Sequence, residues 1–379
     1  MATGGTKVAT IYDDLGVKPV INAGGHYTVL GGATPSPRVK AAMESANRYY
    51  VEMAELLEKS GRIIAGLLGS EAAYVTSGAA AALALGTAAC MTGKDPEKIA
   101  RLPDTTGMRN ELLIQKRHRY HYDRPPTITG ARLVEVGDDE GTTVAQLETA
   151  MGPTAAAVLY PDVDWVSKEN TVRLPELVKI AKAKGVPVLV DAASRVYPVS
   201  EMKKYAAMGV DLVCFGGKYI GAPNSSGILS GRRDLVEAAA MQGFIGYEVL
   251  DSHGIGRPFK LDRQEIVAVV VALQEWMEMD HTARLRRFDQ RTQAIAHAIE
   301  GIPGVTATTK GETMWSNLRV VIDASVCGKN ARDVAQVLRA GDPGIWVNVS
   351  DEALDIWVGT LQEGDEEVVA TRLKEALTQ

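Results

Sequence analysis

Short apolar runs alternate along this chain with longer stretches that have helical periodicity. The apolar runs lack polar alternation, which is typical of parallel strands that helices cover on both faces. We therefore predict strands and helices in turn, with strands at residues 72–75, 155–159, 186–190 and 212–215 and helices at 79–91 and 174–184. This order indicates an α/β fold whose large domain has a mostly parallel sheet.

The second half of the chain has a different organisation. Periodicity is lost at residues 245–262, and a long helical stretch, 263–299, follows. Three further strands and a last helix are predicted at residues 317–322, 345–349, 353–358 and 365–377. We thus expect an N-terminal segment, 1–45, that contributes to the functional site and to the small lobe, a large domain, 46–250, and a smaller α+β C-terminal domain, 251–379.

Composition narrows the class of protein. The 379 residues carry a net charge of −6, which makes general binding of nucleic acid or of anionic membranes unfavourable. Cys90, Cys214 and Cys327 lie far apart without CxxC or Cys/His spacing, so we expect no metal site. No apolar run reaches the roughly 20 residues of a membrane helix, and the start has no apolar signal core. We expect a cytoplasmic protein.

Two charged residues follow apolar strands where a parallel sheet opens into its ligand crevice. Asp191 ends the run GVPVLVD, and Lys218 follows the run DLVCFGG. Asp191 could instead cap the next helix, and Lys218 could be a solvated turn residue. As a pair they indicate an imine-forming amine opposite a carboxylate that pairs with a pyridinium, the arrangement of a pyridoxal 5'-phosphate site.

Small residues at the junction of a predicted strand and helix could hold a phosphate. Ser77, Gly78 and Ala79 in YVTSGAAAALALG combine a hydroxyl with a helix N-terminus, although an ordinary helix cap is the alternative. A second polar cluster at residues 224–227, which includes Ser226, lies just beyond Lys218. It could reach the same phosphate or form a plain turn.

Aromatic rings concentrate in QKRHRYHYD, in a chain that otherwise has few of them. The rings belong to His118, Tyr120, His121 and Tyr122. One ring could stack on the cofactor, and His118 is the candidate for the site and for catalysis. The alternative for this segment is a basic surface loop.

Several motifs together resemble those of one enzyme family. They are INAGGHYTVLGG, AAYVTSGAAAALALG, QKRHRYHYD, VLVDAASR, FGGKYIGAPNSSGIL, GIGRPFKLDRQEI and RAGDPGIWV, and they extend over nearly the whole chain. The chain resembles the fold-type I pyridoxal-phosphate enzymes, which have an aspartate aminotransferase-like fold. Within them it is similar to the selenocysteine synthase-like group, and most of all to D-glucosaminate-6-phosphate ammonia-lyase.

The resemblance implies roles for particular residues. Lys218 is implied as the Schiff-base lysine, Asp191 as the partner of the pyridine nitrogen, and Ser77, Gly78 and Ala79 as the phosphate site. His118 matches a histidine of the family pattern, and Ser226 falls in the loop after the lysine. The resemblance also implies that Arg257, in GIGRP, reaches a phosphate across the interface of a homodimer or higher homo-oligomer.

The implied reaction occurs at Cα of an amino acid. It is a β-elimination with deamination that converts a β-hydroxy or sugar-derived amino acid into a 2-keto acid. Alternatives are a racemase or epimerase, an aldolase, an aminotransferase, a selenium transferase-like enzyme and a non-catalytic cofactor-binding protein. A nicotinamide dehydrogenase is not indicated because no GxGxxG joins a first strand to a helix. A tRNA substrate is not expected, because the chain is acidic and has no added N-terminal region.

Residues that contact the substrate are harder to predict. Candidates are His26, Tyr27 and Thr28 in the N-terminal segment, with Arg319 or Arg339 in the small lobe for a carboxylate. A packed strand end and ordinary surface charges are the alternatives for these residues.

Overall fold

The strands of this computed structural model occur in two sheets. The structure describes residues 10–310, 317–350 and 352–378. Its strands are β1 (Val20–Ala23), β2 (Ala72–Thr76), β3 (Glu111–Gln115), β4 (Arg132–Val136), β5 (Ala155–Pro161), β6 (Val188–Asp191), β7 (Leu212–Gly216), β8 (Gly227–Gly231), β9 (Val305–Lys310), β10 (Asn317–Ile322), β11 (Gly344–Val349) and β12 (Ala353–Trp357).

Helices make up most of the remaining regular structure. The α-helices are α1 (Ile11–Asp14), α2 (Pro37–Ala46), α3 (Met53–Leu68), α4 (Gly78–Thr92), α5 (Pro96–Arg101), α6 (Val144–Ala150), α7 (Leu174–Lys184), α8 (Val199–Met208), α9 (Arg233–Gln242), α10 (Phe244–Val249), α11 (Arg263–Glu278), α12 (His281–Ala298), α13 (Ala324–Cys327), α14 (Ala331–Ala340) and α15 (Asp365–Thr378). Short 3₁₀ turns span Thr28–Leu30, Lys116–His118, His121–Asp123, Pro125–Thr129, Gly217–Ile220 and Val358–Thr360.

The larger of two compact units spans Ala33–Met279 and contains a seven-stranded sheet in the order β2-β8-β7-β6-β5-β3-β4. Strand β8 is antiparallel to both neighbours, and the other pairs are parallel. The alanine-rich helix α4 packs so closely on this sheet that a Cβ on Gly86 would lie 3.3 Å from the side chains of Leu189 and Leu212. Strands β5 to β8 are buried along their whole length, and the mainly apolar sequences of β5, β6 and β7 agree with this burial.

The smaller unit comprises the described residues of 1–32 and 280–379. Its five-stranded sheet has the order β1-β11-β12-β10-β9, in which β1 is parallel to β11 and the other pairs are antiparallel. Apolar side chains of α12, α14 and α15 pack with those of the sheet in one core. The predicted α/β class with an additional α+β lobe is confirmed.

The predicted strands and helices agree with the structure more closely than the predicted domain boundary at residue 250 does. The compact units divide at residues 279/280, and not at 250, because α11 packs against α2 and α3 within the larger unit. The predicted helical stretch 263–299 is two helices, since Asp280 caps α12 by accepting a hydrogen bond from the Ala283 N–H at 2.9 Å. Within the described part of the chain, no helix is long and apolar enough to cross a membrane.

Candidate active site

Asp191 lies at the carboxyl end of β6, where it is 3% exposed. Its Oδ2 accepts a hydrogen bond from the Tyr120 hydroxyl at 2.5 Å. Its Oδ1 accepts from the Ala193 N–H at 3.0 Å and from the Cys214 thiol at 3.5 Å. Burial raises the pKa of the Asp191 carboxyl, whereas these donors lower it by stabilising the carboxylate. The next helix begins only at Val199, so Asp191 is not a helix cap.

Lys218 lies one strand away, at the same edge of the sheet. Strand β7 pairs with β6, ends at Gly216 and continues into the 3₁₀ turn that carries Lys218. The lysine side chain is half-buried, and this burial lowers the pKa of its amine. A Cβ on Gly217 would lie 2.2 Å from the Ser226 Oγ, so this turn requires glycine beside the lysine. An amine whose pKa is lowered gives up its proton more readily, which suits both imine formation and proton transfer.

The phosphate seat, which is the predicted phosphate site at Ser77, Gly78 and Ala79, lies at this edge as well. Thr76 and Gly216 pair with opposite sides of Gly227, so the start of α4 and the lysine turn both lie next to β8. A Cβ on Gly227 would lie 2.5 Å from the Gly78 carbonyl carbon and 2.8 Å from the Ala79 nitrogen. Gly78 has φ +85°, and the Ser77 side chain forms no capping bond to the helix. This junction therefore offers backbone N–H groups and a hydroxyl to an anion.

Ser226 is buried close to this junction. Its hydroxyl donates to the Pro223 carbonyl at 2.7 Å, and its own carbonyl accepts from the Gly217 N–H at 2.8 Å. The residue thus ties the turn before β8 to the lysine turn. To donate to a phosphate its hydroxyl would have to leave Pro223, and this role stays a prediction.

His118 is completely buried beside three other side chains. Its Nδ1 lies 3.4 Å from the Gln115 amide nitrogen, and its Nε2 lies 3.2 Å from the Thr171 hydroxyl. The ring packs edge-on against Tyr160 with 4.8 Å between centroids. Burial lowers the pKa of His118 to about 3, so the ring is neutral at neutral pH. Because protein side chains enclose the ring, its predicted place in the site and its predicted catalytic role stay predictions.

Tyr120 is the site residue whose role the sequence did not predict. It was one of four rings in the same segment, and its 71-residue separation from Asp191 gives no signal of contact. The contact between Tyr120 and Asp191 follows from the order of the strands in the sheet. Strand β3 lies beside β5, which lies beside β6, so the segment after β3 returns to the edge where Asp191 lies.

The remaining candidates have other partners. Arg257, in the larger unit, is exposed and forms an ion pair with Glu248 at 2.6 Å. In the smaller unit, Arg319 is paired with Asp355 at 2.9 Å, an ion pair that a substrate carboxylate would have to displace. Their predicted roles stay predictions.

The other substrate candidates also belong to the smaller unit. The Tyr27 hydroxyl donates to the Asn348 Oδ1 at 2.7 Å, and the ring of His26 lies edge-on to the ring of Trp357. Thr28 begins an exposed 3₁₀ turn, and the Arg339 guanidinium lies 3.4 Å from the ring centroid of Trp346. These contacts leave their predicted roles untested.

Comparison with known proteins decides the family. The sequence profile of the family described as aminotransferase class-V matches residues 127–353. The chain belongs to the aminotransferase class-V family. The fold-type I fold and the cofactor, pyridoxal 5'-phosphate, which were predicted from the motifs, are thereby confirmed. Asp191, Lys218 and the glycine-lined start of α4 fit this cofactor, since they offer an acid for its ring nitrogen, an amine and a phosphate seat.

Class-V relatives match this chain over nearly its whole length. D-glucosaminate-6-phosphate ammonia lyase of Salmonella typhimurium (strain 14028s / SGSC 2262) is 32% identical over 96% of this chain and 97% of the relative. The 5'-C-glycyluridine monooxygenase-decarboxylase of a Streptomyces species is 34% identical over 97% and 92%. A solved structure of D-glucosaminate-6-phosphate ammonia-lyase has a TM-score of 0.87 and 30% identity, and covers 98% of both chains.

Proposed function

We propose that this class-V enzyme is an ammonia-lyase that converts a β-hydroxy or sugar-derived amino acid into a 2-keto acid and ammonia. The observation that carries the proposal is the placement of Asp191 and Lys218 at the ends of adjacent strands, in a chain that aligns with an ammonia-lyase over nearly its whole length. We further propose that it acts in the cytoplasm as a homodimer or larger homo-oligomer, with sites at the interface.

Lys218 has two tasks in this proposal. Its Nζ binds the cofactor, and the same Nζ moves the proton at Cα of the substrate. Its lowered pKa supports both tasks, because a larger fraction of the amine is neutral and able to accept a proton near neutral pH. When bound, pyridoxal phosphate supplies an electron sink for the pair of electrons that the Cα–H bond leaves behind.

Asp191 and the start of α4 orient the cofactor. The Asp191 carboxylate holds a proton on the ring nitrogen, and the backbone N–H groups of Gly78 and Ala79 bind the phosphate at a helix N-terminus. The reaction needs no external oxidant. The β-hydroxyl leaves as water, and a water is taken up again when ammonia is released, so only ammonia is lost overall.

The second relative leads to an alternative reaction. That relative is a 5'-C-glycyluridine monooxygenase-decarboxylase, and it is 34% identical to this chain. Both reactions break a bond at Cα, so the pair Asp191 and Lys218 is compatible with either. The end-to-end structural match with the ammonia-lyase favours elimination, and oxygen uptake separates the two reactions.

A substrate panel tests the proposal. We expect holoenzyme given β-hydroxy amino acids and amino-sugar acids to release ammonia and a 2-keto acid in equal amounts, without oxygen uptake. Lys218→Ala should abolish the release, whereas Lys203→Ala, which changes an exposed lysine on α8, should leave it intact. Release of carbon dioxide with oxygen uptake would instead identify a decarboxylase, and Cα hydrogen exchange without ammonia would identify a racemase.

A further inference from the structure

The hydroxyl of Tyr120 is held in a fixed position against Asp191. It donates to Oδ2 of the carboxylate at 2.5 Å. The backbone of Tyr120 is held in turn, because its N–H donates to the buried Asp123 carboxylate at 3.1 Å and Asp123 pairs with Arg119 at 2.5 Å. Tyr120 is thus anchored through its own turn independently of Asp191.

This hydroxyl remains a donor at any physiological pH. Burial and the Asp191 charge both raise the pKa of the Tyr120 phenol above its ordinary value. The other two donors lie farther from the carboxylate, since the Ala193 nitrogen is 3.0 Å and the Cys214 sulfur 3.5 Å from Oδ1. A hydrogen bond to an ionised group is stronger than one between neutral groups, and a short one most of all.

The consequence concerns one proton. If Asp191 faces the ring nitrogen of the cofactor, a single proton is shared between the carboxylate and that nitrogen. A further donor to the carboxylate stabilises its charged form and makes it a weaker base. The proton then lies on the nitrogen, where it strengthens the electron sink.

We propose that Tyr120 is a positioning residue that keeps Asp191 ionised and so places the shared proton on the cofactor nitrogen. The inference rests on the proposed function, because it assumes that Asp191 pairs with that nitrogen. It assigns to Tyr120 no contact with substrate or with the reacting atoms.

The matched pair of variants is Tyr120→Phe and Tyr205→Phe. Tyr205 is buried and likewise donates its hydroxyl to a carboxylate, that of Asp162 at 2.8 Å. Asp162 keeps Lys204 as a partner at 3.1 Å. Both variants therefore lose one tyrosine–carboxylate hydrogen bond, but only Tyr120→Phe takes it from Asp191.

The readout is ¹⁵N NMR of holoenzyme loaded with cofactor labelled at its ring nitrogen. In wild type we expect a pyridinium-like signal, and in Tyr120→Phe a shift towards neutral pyridine, with kcat reduced about tenfold and KM nearly unchanged. Tyr205→Phe should keep the wild-type signal. An unchanged signal in Tyr120→Phe, or an equal shift in Tyr205→Phe, overturns the inference.

Asp191→Asn separates this inference from the proposed function. If Asp191→Asn leaves the nitrogen signal unchanged, the assignment of Asp191 to the ring nitrogen fails. If Asp191→Asn moves the signal and Tyr120→Phe does not, only the role of Tyr120 fails.

Should Tyr120→Phe not fold, fluorinated tyrosine at position 120 keeps the ring and hydroxyl while making the donor stronger. The pyridinium signal should then persist to higher pH with each added fluorine, and an unchanged pH dependence overturns the inference.

Discussion

At the scale of single residues, burial acts in opposite directions on the two groups that define the site. It raises the pKa of the Asp191 carboxyl and lowers that of the Lys218 amine, so each is moved towards its neutral form. The three donors around Asp191 counter this effect for the carboxylate, whereas Lys218 is left with an amine that loses its proton more easily. The site is therefore prepared to bind a cationic ring nitrogen and a carbonyl carbon.

The lowered pKa of Lys218 predicts how cofactor capture depends on pH. Only the neutral amine attacks a carbonyl carbon, so the capture rate of cofactor-free protein should rise with pH and level off above the pKa of Lys218. Because burial lowers that pKa, the midpoint of the rise should lie below about 10.4, the usual value for lysine. Stopped-flow absorbance of the bound cofactor measures the rate, with Nα-acetyl-lysine and pyridoxal phosphate as reference. A midpoint at or above that of Nα-acetyl-lysine would contradict the account.

The sequence predicted the charged residues of the site better than their surroundings. Asp191 and Lys218 each follow an apolar strand, and that local pattern is visible without a structure. The hydrogen bond from Tyr120 to Asp191 joins residues 71 apart through the order of three strands, which no local pattern encodes. The same holds for Arg319, whose pairing with Asp355 depends on the cross-strand register of β10 and β12.

At the scale of elements, the phosphate seat depends on how closely β8 approaches the start of α4. Strand β8 was not predicted, because GILSG is short and bounded by glycines. The structure explains the first of those glycines, since Gly227 lies in register between Thr76 and Gly216 and against the backbone of Gly78. The glycine that obscures the strand in the sequence is the one that allows the seat to form.

Gly227→Ala should therefore weaken cofactor binding. The added Cβ would lie 2.5 Å from the Gly78 carbonyl carbon, which is backbone and cannot rotate away. We expect strain of about 1–3 kcal/mol and an affinity for pyridoxal phosphate that is about 10- to 100-fold lower, measured by equilibrium titration. Gly66→Ala in α3 is the control, because no heavy atom lies within 4 Å of its Cβ position. Wild-type affinity in Gly227→Ala would show that the phosphate binds elsewhere.

At the scale of the whole molecule, each unit has its own sheet and helices. The helical and strand patterns predicted elements of both units, and the bounds of the predicted strands agree with the structure to within a few residues, although residues 263–299 form two helices and not one. The division at 279/280 was not predictable from loss of periodicity, because it depends on the packing of α11 against α2 and α3. The match with the class-V family spans parts of both units, and relatives cover almost the entire chain.

The central claim is that Lys218 binds pyridoxal phosphate, and chemical reduction tests it most directly. Borohydride applied to the holoenzyme fixes the cofactor to whichever amine carries it, and peptide mass spectrometry then locates the added mass. The account predicts one modified site, Lys218, and no modification of the half-buried Lys168, whose pKa burial lowers to about 8. Modification of Lys168 or another lysine, or of no lysine at all, would contradict it.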